Sequence, residues 1–366
     1  GPIQGGMVHP YLRRRQGFEP VVYPSAAMKV ALERTLGVPI FQEQVMQVAI
    51  LGAGFTPGEA DQLRRAMAAW KRKGGLEHYY ERITTGMLER GYTLEFAEAI
   101  FSQIQGFGEY GFPESHAASF ALLAYASSWL KCHEPAAFLC ALLNSQPMGF
   151  YSPSQLVQDA RRHGIEVRPV DVAISGWDSA LEEYEPHERT RQPAVRLGLS
   201  LQRGMKVDAA ERIEQARAVR PFADVADLAR RAGLDRSDLQ VLAAAGALQS
   251  LAGHRREALW EASGAAPDKD LLRPTVPREE APVLAAPSEG EEIVGDYRAQ
   301  GLTLGRHPLA LLRERLLAQR FLPAATLMDF QNGQLARGCG LVTARQRPGT
   351  AKGVLFLTLE DETGNV

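Results

Sequence analysis

Four basic residues lie close together in a stretch of the sequence where a helix is expected. With Arg64 placed at zero on a helix that turns about 100° per residue, Arg65, Lys71 and Arg72 fall within an arc of about −20° to +100°. An apolar stripe beside this arc consists of Ala60, Leu63, Met67 and Trp70. Adjacent arginines offer forked donors to a triphosphate or to a DNA backbone; the simpler interpretation is a solvated basic face.

A second candidate is the segment 106–116, which has three glycines in its first six residues and ends in Pro-Glu-Ser-His. Glycines allow another group to approach the backbone closely. Ser115 is expected to cap the following helix and to leave amides free for an anion, and His116 in that first turn can donate to a phosphate. The alternative is a tight turn between helices with a capping serine.

The sequence predicts neither a catalytic residue nor a metal site in this chain. The three cysteines, Cys132, Cys140 and Cys339, form no CxxC pair, and the eight histidines show no metal-binding spacing. The only Asp-x-Asp pair lies at 268–270, inside a proline-rich stretch that is expected to be a linker.

The elements that must position these residues are mainly helices. Thr56 is followed by Pro57 and, three positions after the cap, by Glu59, which predicts a helix that starts here and ends before Gly74 and Gly75. From residue 165 to 199 two β-prone runs appear, and short helices with glycine turns follow to about 262. The last residues, from 336, are typical of strands.

Composition limits the class of protein. The chain has 366 residues, of which 45% are apolar, and a net charge of −2 that hides separate acidic and basic segments. Its longest apolar stretch, 117–130, is shorter than the roughly 20 residues that span a bilayer and predicts a buried helix. We therefore expect a cytoplasmic protein that does not contact the membrane.

Several ordered segments resemble the finger region of the error-prone relatives of the bacterial DNA polymerase III alpha subunit. These segments are 1–5, 7–15, 41–46, 63–67, 110–119 and 129–131. In such an enzyme, Arg64, Arg65, Lys71, Ser115 and His116 are expected to bind the incoming nucleotide, with the arginines and the histidine on its triphosphate.

Residues 201–218 resemble a helix-hairpin-helix unit, and residues 224–248 resemble its partner. The hairpin is 203–206, so Arg203, Gly204 and Lys206 are expected to contact a DNA phosphate without reading base sequence. Lys206 stands where a second glycine is usual. A purely structural hairpin is the alternative.

The tail resembles the opening strands of an OB-fold, a barrel that binds single strands with basic and aromatic side chains. Arg345, Arg347, Lys352 and Phe356 are the residues expected to make these contacts.

The predicted fold is mainly α and multidomain, with helical polymerase fingers, a tandem helix-hairpin-helix and a truncated β OB-fold. The predicted boundaries are fingers 1–150, α+β connector 151–200, tandem helix-hairpin-helix 201–262, linker 263–295, helical connector 296–335 and incomplete OB-fold 336–366.

The resemblance implies a fragment of an error-prone, DNA-directed DNA polymerase that carries out translesion synthesis. Its palm carboxylates and their Mg²⁺ are expected outside this chain, so the fragment alone is predicted to be inactive. The implied partners are primer-template DNA, deoxynucleoside triphosphates and a sliding clamp reached through an adaptor similar to Y-family polymerases. The alternative is a non-catalytic DNA-binding or adaptor protein that reuses these modules.

Overall fold

The computed structural model describes residues 8–73, 78–106, 113–149, 151–182, 192–265, 282–347 and 353–366. Its contacts divide the chain into two compact units, Gly1–Ser128 and Trp129–Val366. Each unit buries an apolar core of its own, and helices predominate in both. The predicted mainly α class is therefore confirmed.

The first unit is built from helices. Their bounds are α1 Val8–Arg15, α2 Ala26–Leu32, α3 Gln42–Ala53, α4 Pro57–Lys73, α5 His78–Leu88, α6 Leu94–Gly106 and the start of α7 Glu114–His133, with a short 3-10 helix at Glu33–Thr35. Residues of α2 to α6 and of the loops between them form the core. The apolar stretch predicted to be a buried helix lies in α7, but α7 buries none of its residues, because no other described element covers it.

Helix α4 begins where its sequence signals predict. The Thr56 hydroxyl accepts a hydrogen bond from the Glu59 amide at 3.2 Å, and the Glu59 carboxylate accepts one from the Thr56 amide at 2.7 Å. This reciprocal cap satisfies amides that have no partner inside the helix. Ala60, Leu63 and Met67 are fully buried, which confirms the predicted apolar face and leaves the adjoining face outward.

Arg82 ties α5 to the end of α3. Its guanidinium donates to the carbonyls of Ala53 and Gly54 at 3.0 and 2.9 Å and lies 4.6 Å from the centre of the Phe55 ring. The last carbonyls of a helix have no partner in the helix itself, so these bonds satisfy them. The core that supports α4 is therefore held by polar ties as well as by apolar packing.

The second unit combines helices with two small sheets. Its helices are α8 Pro135–Asn144, α9 Pro153–Arg162, α10 Val207–Val219, α11 Val225–Ala232, α12 Arg236–Ala244, α13 Gln249–Ala252, α14 Arg255–Gly264, α15 Glu289–Ala299, α16 Arg313–Ala318 and α17 Ala324–Met328, with 3-10 helices at Leu199–Leu201 and Pro308–Leu312. Its strands are β1 Val167–Arg168, β2 Ala180–Glu182, β3 Ala194–Arg196, β4 Leu341–Gln346, β5 Phe356–Asp361 and β6 Gly364–Asn365.

The two predicted β-prone runs pair with each other. Strand β3 lies in the middle of the first sheet, parallel to β1 and antiparallel to β2. One core extends from Ala136 in α8 to Leu302 after α15, so the residues after the linker pack on the same core as α10 to α14. Arg255 of α14 helps to hold α15, because it donates to the Glu292 carbonyl at 3.0 Å and to the Asp296 carboxylate.

Candidate nucleic-acid interface

The arginine pair predicted on α4 shares one carboxylate. Arg64 donates to Oδ1 of Asp61 from Nε and Nη2 at 3.0 and 2.8 Å, and Nε of Arg65 lies 2.8 Å from the other oxygen. The hydrogen bond from Arg64 is the main cause that lowers the pKa of Asp61, and the charge of Arg65 adds to it. Two guanidiniums against one carboxylate leave a net positive charge on a face where Arg65 is 74% exposed. The side chain of Lys71 lies outside the described residues.

The start of α7 differs from the prediction. The helix begins at Glu114, two residues earlier than expected, so Ser115 lies inside the first turn and is not its cap. The Glu114 amide donates to Oε2 of Glu43 at 2.9 Å, and Arg34 forms a two-bond ion pair with the Glu114 side chain. Because Glu43 already accepts from this amide, an anion near Ser115 and His116 has to be held by side chains or by later amides.

His116 lies on the first turn of α7 with its ring centre 4.4 Å from that of Phe120. Ser115 and His116 both lie on the first turn of α7; this position was predicted for His116, whereas Ser115 was expected to precede the helix as its cap. The glycine-rich loop at 107–112 lies outside the described residues. The roles of Ser115 and His116 in nucleotide binding stay predictions.

The hairpin of the second unit has a tight glycine turn before α10, but its basic side chains already have hydrogen-bond partners within the chain. Gly204 has a φ of +89°, a conformation that side chains disfavour, and α10 starts three residues later with Lys206 as its cap residue. Nζ of Lys206 donates to Asp238 at 3.0 Å and lies 3.6 Å from Asp235. Arg203 donates from Nη1 to the Arg298 carbonyl at 3.2 Å and from its amide to the Ala299 carbonyl at 2.8 Å. A DNA phosphate at this hairpin has to compete with carboxylates already present.

A second basic group at the far end of α10 was missed by the sequence analysis. Asp227, on the first turn of α11, accepts hydrogen bonds from Arg220, Arg230 and Arg231 at 2.9 to 3.2 Å. Arg230 and Arg231 follow Asp227 by three and four residues, and side chains at this spacing are neighbours on a helix. The sequence alone could therefore have indicated these two ion pairs. The contribution of Arg220 depends on the turn between α10 and α11.

The C-terminal sheet does not place the predicted contact residues together. In the β4 and β5 pair, Arg345 lies opposite Leu357, and Phe356 lies opposite Gln346. Because consecutive residues point to opposite faces of a strand, Arg345 and Phe356 are on opposite faces. Arg347 follows β4, and Lys352 lies outside the described residues. Among the described residues, Arg345 and Phe356 therefore do not share one face of this sheet.

Metal binding and membrane insertion have no candidate among the described residues. No group of three or more His, Cys, Asp or Glu side chains is arranged to hold a metal ion in that part of the chain. None of its helices is long and apolar enough to cross a bilayer. The Asp-x-Asp pair at 268–270 lies outside the described residues.

Comparison with known families locates two of these regions. Residues 1–91 match the family described as bacterial DNA polymerase III alpha subunit finger domain, and residues 164–258 match a helix-hairpin-helix motif. The first match contains the arginine pair of α4. The second contains both ends of α10.

Curated relatives match along the whole chain. It is 65% identical over its full length to error-prone DNA polymerases of Bordetella bronchiseptica and Burkholderia pseudomallei, and 60% identical to that of Pseudomonas aeruginosa. In each case the chain spans about 35% of the relative's length.

Proposed function

We propose that this chain, which belongs to the error-prone relatives of the bacterial DNA polymerase III alpha subunit, binds the incoming nucleotide and DNA within such a polymerase. The observation that carries the proposal is the match of the finger domain, with its basic face on α4, inside a chain 65% identical to error-prone DNA polymerases. The parent activity is template-directed addition of nucleotides by a DNA-directed DNA polymerase.

In this proposal the first unit holds the triphosphate. Arg64 and Arg65 share Asp61, so their combined positive charge is only half neutralised before a phosphate arrives. A triphosphate accepts forked hydrogen bonds from guanidinium groups, and these bonds are strong because both partners are charged. Ser115 and His116 on α7 are the further candidates for the same ligand.

The remaining components of the reaction lie elsewhere in the polymerase. Mg²⁺, when bound by palm carboxylates, would activate the primer hydroxyl and stabilise the leaving pyrophosphate. The described residues of this chain offer no cluster for such an ion, so its ligands are expected in the parts of the relatives outside this match. Primer-template DNA and a sliding clamp, reached through an adaptor, complete the proposed set of partners.

The test is Arg65→Ala in the full-length polymerase, measured by single-nucleotide incorporation and thermal unfolding. Loss of one charge-assisted hydrogen bond to the triphosphate should lower kcat/KM about tenfold to a few hundredfold. Stability should change by less than about 0.5 kcal/mol, because Arg65 is exposed. Lys29→Ala, which removes an exposed base from α2, should leave incorporation unchanged. Normal incorporation by the Arg65 variant would contradict the proposal.

A further inference from the structure

Three arginines converge on one buried carboxylate in the second unit. The Asp227 side chain is 5% exposed, and the guanidiniums of Arg220, Arg230 and Arg231 all lie within 3.2 Å of its oxygens. Burial alone would raise the pKa of Asp227, but hydrogen bonds from Arg231, from the Ala223 amide and from Arg220 lower this pKa to about 2. The carboxylate is therefore ionised at neutral pH and carries one negative charge against three positive charges.

Arg231 is the least exposed of the three arginines and also bonds the backbone of the adjacent turn. Arg231 is 15% exposed, donates to Asp227 at 3.0 Å, and also donates to the carbonyls of Pro221 and Arg220 at 3.1 and 2.8 Å. Its guanidinium lies 4.8 Å from the centre of the Phe222 ring. These contacts close the turn between α10 and α11 and already provide Asp227 with a cation.

The other two arginines, Arg220 and Arg230, add positive charge beyond the one cation that neutralises Asp227. Arg220 is 54% exposed and Arg230 is 49% exposed. Each donates one Nη2 hydrogen bond to the same oxygen of Asp227, at 2.9 and 3.0 Å, which places these two nitrogens within about 6 Å of each other. Among the described residues, Nε and Nη1 of Arg230 and Nε of Arg220 have no hydrogen-bond partner.

We propose that Arg220 and Arg230 form a clamp for one phosphodiester group of the DNA backbone. A phosphate that lies beside these two guanidiniums can accept a charge-assisted hydrogen bond of about 2.8 Å from each, through the nitrogens that Asp227 leaves free. Asp227 holds both side chains in place, so little further order is lost when the phosphate binds. The nearby Asp224 caps α11 through the Asp227 amide, and around Asp227 itself three guanidiniums face one carboxylate.

This inference rests on the proposed DNA-binding function and deepens it, because it assigns a contact outside the hairpin. Its test measures binding of the 366-residue chain to two short DNA duplexes of unrelated sequence over a series of salt concentrations. Arg230→Gln should weaken binding to both duplexes about threefold to tenfold and reduce the slope of log K against log salt by about one. Arg230→Lys should retain most of the salt-dependence slope, because lysine keeps the positive charge although it lacks the paired donors of a guanidinium.

Arg306→Gln is the matched control, since Arg306 is also exposed but pairs with a single carboxylate, that of Glu289. It should leave the slope unchanged, and all variants should unfold at the same temperature as the unmodified chain. An unchanged slope for Arg230→Gln, or an equal loss for Arg306→Gln, would overturn the clamp alone. No binding by the unmodified chain would overturn the clamp and the proposed DNA-binding function together.

Discussion

The two ends of α10 have opposite ratios of positive to negative charge. At the hairpin end, one lysine lies within 3.6 Å of two carboxylates; at the far end, one carboxylate lies among three arginines. The groups at the hairpin end are Lys206, Arg212, Asp208, Asp235 and Asp238, and those at the far end are Arg220, Arg230, Arg231, Asp224 and Asp227. Among the groups joined in ion pairs, the excess of positive charge therefore lies at the end away from the hairpin.

This difference shows that the presence of a basic residue does not by itself indicate a phosphate contact. Lys206 keeps its charge, because the hydrogen bond to Asp238 and the charges of Asp238 and Asp235 raise its pKa, but those carboxylates also neutralise it. A phosphate that binds there gains from backbone amides at the start of α10, whereas one at the far end gains from side chains. The two ends should respond differently to substitution.

The largest expected difference is in stability. Asp227→Asn should reduce the free energy of unfolding by about 2–4 kcal/mol, because three guanidiniums lose the charge that holds them and then face an amide NH₂. Asp238 is equally buried but has two basic partners, Lys206 at 3.0 Å and Arg212 at 3.6 Å, so Asp238→Asn should cost about 1–2 kcal/mol. Urea unfolding at neutral pH measures both values. Equal losses would show that the number of arginines around Asp227 does not affect the free energy of unfolding.

A smaller effect is expected from pH. The pKa of Asp227 is about 2 in the folded chain, and its ordinary value is 3.8. The contribution of Asp227 to the free energy of unfolding is therefore complete above pH 3.8 and is lost as pH falls toward 2. Between pH 5 and pH 3, the unmodified chain should lose about 1 kcal/mol more than Asp227→Asn. Urea midpoints of the two proteins at each pH give this difference. Parallel curves would mean that the arginines do not lower the pKa.

The smallest effect is expected at the hairpin end. Asp235→Asn keeps the cap of α12, since asparagine also accepts from the Asp238 amide, but it removes one of the two negative charges beside Lys206. DNA affinity at low salt should rise about twofold to threefold. Glu211→Gln removes the same charge from the exposed side of α10 and is the control. An equal rise for both variants would indicate an effect of net charge and not of the local ratio.

Much of the fold could be predicted from the sequence, because its signals are local. The cap at Thr56 joins it to Glu59, three positions later, and α4 starts where this pair predicts; Ser152 and Gln155 form the same kind of cap at the start of α9. The pairing of β1 with β3 agrees with two β-prone runs. The strands β4 and β5 lie in the region from 336 that was expected to form strands.

The site could be predicted only in part, because side-chain partners come from distant positions. The amide at the start of α7 is occupied by Glu43, 71 residues earlier, and Lys206 donates to a carboxylate 32 residues later. The opposite orientation of Arg345 and Phe356 depends on the register between β4 and β5. None of these facts follows from residue type or from spacing along one helix.

The sequence by itself determined the helical class, the start of α4, the resemblance to error-prone DNA polymerases and the residues eligible to bind phosphate. Capping and amphipathic packing involve residues three or four positions apart, so the linear order contains them. Only the tertiary structure decided which basic residues are already neutralised. Whether Lys206 or Arg230 can bind a phosphate depends on the carboxylates that packing brings within about 4 Å, and chain folding alone sets those distances.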